Sequence, residues 1–171
     1  MILPDYLHPG LRAVLVGTVV GGRSAERGHY YAGVGNNFWR LLHESGLTPT
    51  QLRPQDDATV LDHGLGLTDL VKTISQSHDR GLTRYYDVPG LVAKVAEHRP
   101  TVVAFTSKTA AAEFALASRL RAPRDFGPLS WAVADRPAFV LPGPSSANNG
   151  MPLPLRIALW ADLADFIRTV D

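Results

Sequence analysis

A short apolar run, Ala13-Val14-Leu15-Val16, opens directly into glycine, and this junction constrains the chain more than any other. Bounded by Gly10 and Gly17, the run has the length and composition of a buried strand. The stretch that follows, Gly17 to Trp39, carries glycine at 17, 21, 22, 28, 33 and 35, too many for a helix or strand interior. Glycine admits positive φ and lets a ligand come close to the backbone. Among these glycines stand Arg23, Ser24, Arg27, His29, Tyr30 and Tyr31, which offer cations, hydrogen-bond donors and flat rings. Asn36 then caps a helix that begins with Phe38 and Trp39. Strand, polar glycine loop and helix together describe a ligand site. The spacing fits neither GxGxxG nor the P-loop pattern, so a plain strand-to-helix connection is the alternative.

Downstream, Phe38 to Ser45 reads as a short helix stopped at Gly46. Leu52, Val60 and Leu61 are anchors in a mixed stretch whose run Arg53 to Asp57 is expected at the surface. Leu65 to Val71 is a second strand ending in polar residues, and Lys72 to Tyr86 a long aperiodic loop. Asp87 caps a helix with the stripe Leu91, Val92, Val95 and Ala96. Thr101 to Phe105 is the clearest buried strand, and Ser107-Lys108 opens a helix over 109–119. Trp131 to Ala134 and Ala138 to Leu141 are further strands. In the closing helix, Leu155, Leu159, Trp160, Leu163, Phe166 and Ile167 should be buried, with Arg156, Asp162, Asp165 and Arg168 facing water.

Strands alternating with helices predict an α/β fold, a three-layer α/β/α sandwich with a mainly parallel central sheet. Ligands in such folds bind beyond the carboxyl ends of the strands. Thr18 to Tyr31, Asp69, Ser107-Lys108 and Gly143 to Gly150 all fall there, so four loops should converge on one site. The 171 residues suit a single domain over 1–171. A net charge of +1 announces no global nucleic-acid field, so any DNA affinity must be a local patch. With no cysteine, disulfides, Cys-ligated zinc and iron–sulfur clusters are excluded. The six histidines show no metal spacing. No segment reads as a leader or membrane span, and a soluble, cytoplasmic, monomeric protein without metal or organic cofactor is expected.

The order of residues says more than their spacing. Gly17-Thr18-Val19-Val20-Gly21, Ser24-Ala25, Tyr31-Ala32 and Asn36-Asn37-Phe38-Trp39 resemble the first signature of the mismatch-specific uracil/thymine-DNA glycosylases. The likeness begins at Pro9-Gly10-Leu11-Arg12 and continues from Leu41 to Gln55. A second signature, Leu141-Pro142-Gly143-Pro144-Ser145-Ser146-Ala147-Asn148-Asn149, resembles the family's loop that enters the DNA stack. The resemblance implies a uracil-DNA glycosylase-like fold, and an enzyme that flips a base from duplex DNA before breaking its sugar bond.

On that resemblance Thr18, Val19, Ser24, Tyr31 and Gly143 form the base pocket, with Tyr31 stacking on the flipped base. Ser145, Ser146, Ala147 and Asn148 belong to the inserted loop, while Arg23, Arg27, Ser107 and Lys108 meet phosphates. Each has a plainer alternative: a core tyrosine, a turn before the last helix, or solvated arginines. One departure matters. The family usually has Asn at the position of Val19, where it holds the attacking water, and valine has neither donor nor acceptor. Asp69 is the candidate replacement, expected to be anionic near neutrality from its ordinary pKa of about 3.9. The rival is that Thr68-Asp69 merely caps a loop.

The expected partner is double-stranded DNA containing uracil or mismatched pyrimidines. The alternatives are a damage-binding protein without turnover, motivated by Val19, and a small-nucleotide-binding α/β protein.

Overall fold

The computed structural model describes residues 1–148 and 150–170. Five strands form one sheet in the order β2-β1-β3-β5-β4: β1 Ala13–Val20, β2 Leu65–Ser75, β3 Val102–Phe105, β4 Gly127–Val133 and β5 Arg136–Val140. The pairs β1/β2, β1/β3 and β3/β5 are parallel, and only the edge strand β4 runs antiparallel to its neighbour. Among the described residues the α-helices are α1 Gly22–Arg27, α2 Phe38–Glu44, α3 Val88–His98, α4 Lys108–Ala117 and α5 Leu153–Val170.

The layers follow from the alternation of side chains along each strand. Ala13, Leu15, Leu65, Leu67, Val102, Ala104 and Phe139 pack on one face with α2 and α5, around Phe38, Leu42, Trp160 and Leu163. Val14, Val16, Leu70, Val103, Phe105 and Val140 pack on the other face with α3 and α4, around Leu91, Val95 and Phe114. A mainly parallel sheet buried on both sides is the three-layer α/β/α arrangement.

The starts of α3 and α4 behave as their sequences dictate. Asp87 Oδ1 accepts from Gly90 at 2.9 Å and Ser107 Oγ from Ala110 at 3.1 Å. At α2 the cap position falls to Asn37, whose side chain makes no cap bond. The expected Asn36 stands one residue earlier, with its Oδ1 accepting from the Phe38 amide at 3.0 Å. Several expectations need correction. The first strand does not end at Gly17 but continues to Val20, and Arg23 and Ser24 lie on the short helix α1. The second strand runs to Ser75, so the first four residues of the supposed 72–86 loop belong to the sheet. Its β-branched Val71, Thr73 and Ile74 were the available signal.

Asp57 was expected at the surface, yet it is buried on a 3-10 helix spanning Pro54–His63. In α5 two neighbours exchange places: Leu155 is exposed and Arg156 is buried. The loop over 143–148 needs a cation behind its carbonyls more than the core needs another leucine. No helix among the described residues is long and apolar enough to cross a membrane.

Candidate active site

At the carboxyl ends of β1, β2, β3 and β5 lies a cavity of about 480 Å³. Its walls come from Gly17 to Ser24, the end of β1 and the start of α1, Asp69 on β2, Thr106-Ser107 after β3 and Gly143 to Ala147 after β5. Tyr30, Tyr31 and the 33–36 turn close another side. The four expected loops do converge. A fifth segment, Gln76 to Asp79, was missed because strand β2 was cut short; the Gln76 amide donates to Val20 O at 2.8 Å and brings it alongside.

The floor is built on one glycine. Gly17 sits inside β1 directly opposite Asp69 on β2. A Cβ at Gly17 would overlap Asp69 Oδ1 and stand 3.0 Å from the Tyr31 hydroxyl. Gly17 therefore marks a close approach across the sheet rather than the end of a strand. Asp69 lies mid-strand, not near a strand end, and is 5% exposed. Its Oδ2 is buried without a hydrogen-bond partner, so neither capping nor loop bonding occupies that oxygen.

Burial raises the Asp69 carboxyl to about 7, with Lys72 opposing, Asp5 adding to the rise and Lys94 opposing. The carboxyl thus titrates near neutrality, which corrects the expectation of a permanently ionised group. Behind it, Asp5 pairs with Lys72 at 2.9 Å and Lys94 at 2.7 Å and accepts from Thr68 Oγ1 at 2.7 Å. Burial pushes the Asp5 carboxyl up, but Lys94, Lys72 and Thr68 outweigh it and hold it below the usual range.

Tyr31 takes a positive φ of 50° and stacks its ring on Phe38 at 3.8 Å between centroids. Its hydroxyl lies 3.3 Å from Thr106 Oγ1, whose own proton goes to Val16 O, so Tyr31 is the donor in that pair. Burial, and then the nearby Asp69, raise the Tyr31 phenol well above its ordinary value. Ser24 Oγ accepts from the Ala32 amide at 2.9 Å, leaving its O–H free to donate into the cavity it lines. Thr18 is buried and lines the cavity near Asp79, whose carboxyl is raised by burial. Val19 lines the cavity, and its side chain offers no polar atom.

The loop after β5 is braced from behind. Trp160 Nε1 donates to Pro142 O at 3.0 Å, Asn37 N to Pro144 O at 2.9 Å, and Arg156 reaches Gly143 O and Ser145 O at 3.3 Å each. Asn148 contributes from within, its Nδ2 donating to Gly143 O at 3.1 Å. The last residue of the expected signature, Asn149, lies outside the described residues. Arg156 was not foreseen, because a lone arginine at helical spacing reads as solvated.

Of the expected phosphate contacts, Arg23 and Ser107 line the cavity. Arg27 does not: its guanidinium donates to Ala32 O at 2.7 Å and it borders a separate depression with His29 and Gln55. Lys108 is likewise off the wall, donating to Arg124 O at 2.7 Å over the Phe126 ring. No group of three or more potential metal ligands occurs among the described residues.

A mainly parallel α/β/α sandwich with a cavity at its strand ends, floored by a buried carboxylate and an aromatic ring, defines the class. The model of the uracil DNA glycosylase superfamily matches residues 4–164, and the chain belongs to that superfamily. Among solved structures, the chain is similar to a Methanosarcina acetivorans protein provisionally named a uracil DNA glycosylase. That solution structure aligns over 98% of this chain and 96% of its own at a TM-score of 0.64 and 19% identity, a likeness of fold.

Proposed function

We propose that the chain flips uracil, foremost from pairs with guanine, out of double-stranded DNA and hydrolyses its N-glycosidic bond. The observation that carries this reading is the buried Asp69 carboxylate, unpaired at Oδ2, on the floor of the cavity beside Tyr31. An unpaired ionisable group in a cleft is the signature of a group kept for chemistry.

In the proposed reaction the base enters the cavity with one face against Tyr31. As the C1′–N1 bond breaks, its electron pair leaves with the base and positive charge grows on the sugar. The ionised Asp69 stabilises that cation and takes a proton from the water whose oxygen bonds to C1′. The Ser24 hydroxyl donates to a carbonyl oxygen of the departing base. In this scheme Asp69 replaces the amide absent at Val19, Thr18 and Gly143 shape the pocket, and Arg23 and Ser107 meet phosphates. The chain acts as a monomer.

The test is incubation with duplexes holding uracil opposite guanine or adenine, followed by alkaline cleavage at abasic sites. Strand scission by wild type and its loss in Asp69→Asn support the reading; binding without scission would leave a damage reader, as Val19 favours.

A further inference from the structure

We propose that Val34 is an apolar wedge that enters the DNA stack beside the extruded nucleotide, alongside the tip Ser146-Ala147. The inference rests on reading the cavity as the receptacle of a base flipped from duplex DNA.

Val34 is 79% exposed, and alone of the exposed large hydrophobics among the described residues it borders the cavity. It stands at the tip of a Gly-Val-Gly turn in which Asn36 N donates to Gly33 O at 3.2 Å and Gly35 takes φ 77°. A Cβ on Gly35 would lie 3.3 Å from the Cβ of Ser146, so this turn and the loop after β5 abut. The two are also tied through the Asn37 amide and Pro144 O. Val34 and Ser146 therefore present one continuous edge at the cavity mouth.

The chemistry of that edge favours DNA bases as the occupant. Extruding a nucleotide leaves a hole in the stack, and proteins that open base steps insert apolar side chains to fill it. Ser146 and Ala147 carry one heavy atom or two beyond Cα and fill little of it. Valine adds two methyl groups on a β-branched carbon whose restricted χ1 leaves little side-chain entropy to lose on insertion. An exposed valine between glycines has no packing role in the free protein, so substitution there leaves the core intact.

The experiment uses a duplex with 2-aminopurine beside a 2′-fluoro-deoxyuridine, whose sugar bond resists hydrolysis, so unstacking is read without cleavage. Saturating wild-type protein should brighten the 2-aminopurine. Val34→Ala should lose more than half of that gain, and Val34→Leu should keep it. In parallel, uracil release from a cleavable duplex should fall about tenfold in Val34→Ala, the effect of removing two buried methyls, and more than release from a single strand. Equal brightening by wild type and Val34→Ala, or no brightening by wild type, overturns the wedge. Brightening without uracil release from any substrate overturns the proposed hydrolysis and leaves the wedge standing.

Discussion

Two aspartates lie in the core beneath the site, and their surroundings are opposite. Asp57, 2% exposed, is surrounded by donors: the Tyr30 amide at 2.9 Å, and the Tyr6 hydroxyl and His29 Nδ1 at 3.3 Å each. Asp69, 5% exposed, has an oxygen with none, and its carboxyl rises to about 7. Burial is therefore not what separates a structural carboxylate from a reactive one. Protein donors can replace the water that an ion loses on burial, and where they do the group is a fastening for the chain. Asp57 fastens the 28–31 turn and through it sets Tyr31 in its left-handed conformation. Asp69 is left short of donors, and the residue lines the cavity.

The contrast is tested most strongly by the same substitution at both sites. Asp69→Asn should reduce single-turnover uracil release by about 10²- to 10⁴-fold, the usual contribution of a positioned base. Asp57→Asn, measured where it is fully folded, should lose far less. Equal losses would erase the distinction. The stabilities should change in the opposite sense. With a folded pKa near 7 against 3.8 unfolded, the Asp69 carboxyl favours the native state fully below about pH 3.8. That contribution is lost as pH rises towards about 7, a difference of roughly 4 kcal/mol at most. Asn carries no such dependence, so the Tm of Asp69→Asn relative to wild type should climb across this window and then level off.

Gly17→Ala sharpens the comparison without touching either charge. Its Cβ overlaps Asp69 Oδ1, so the carboxylate must move. A displacement of about 1 Å can reduce turnover roughly 10²-fold. Release should drop while Asp57 and its stability contribution stay in place; wild-type rates in this variant would show that Asp69 need not sit where it does. Asp57→Asn is the converse. It weakens charge-assisted hydrogen bonds and should lower stability by about 2 kcal/mol near neutrality, visible in urea titration. If stability is unchanged, Asp57 is no fastening.

How much of this was legible in the sequence differs between the two residues for a physical reason. Asp69 could be picked out because it follows an apolar strand and falls where ligands bind in parallel sheets. Asp57 could not, since Arg53 to Asp57 reads as a polar run and its donors come from Tyr6 and the 29–30 turn, far away in sequence. The layers were legible because apolar alternation and capping residues are local. Gly17 was misread as a strand terminus because composition does not tell a glycine that ends a strand from one that lets a neighbour approach. Arg156 and Leu155 were interchanged because a helical stripe predicts apolar burial and not carbonyls in need of a donor. The segment 76–79 was hidden by the early end assigned to β2.

The smallest expected effect concerns what tunes Asp69. Lys72 lowers its pKa and Asp5 raises it, and the two are themselves an ion pair at 2.9 Å. Lys72→Met removes the cation and leaves the Asp5 charge opposed only by Lys94 and the Thr68 hydroxyl. Both changes push the Asp69 carboxyl in one direction, upward. Tyr30 loses the Lys72 donor at 3.0 Å but keeps its own hydrogen bond to Pro4 O, so the local packing has a reason to survive. If the ionised carboxylate is the reactive form, wild-type release should rise with pH through about 7 and then plateau. In Lys72→Met the same profile should be displaced to higher pH, giving a severalfold loss near neutrality that closes on the alkaline plateau. Asp57→Asn should leave the midpoint where it is. A uniform loss across the pH range would mean that Lys72 acts through structure alone, and a midpoint that moves down would place the titrating group elsewhere than Asp69.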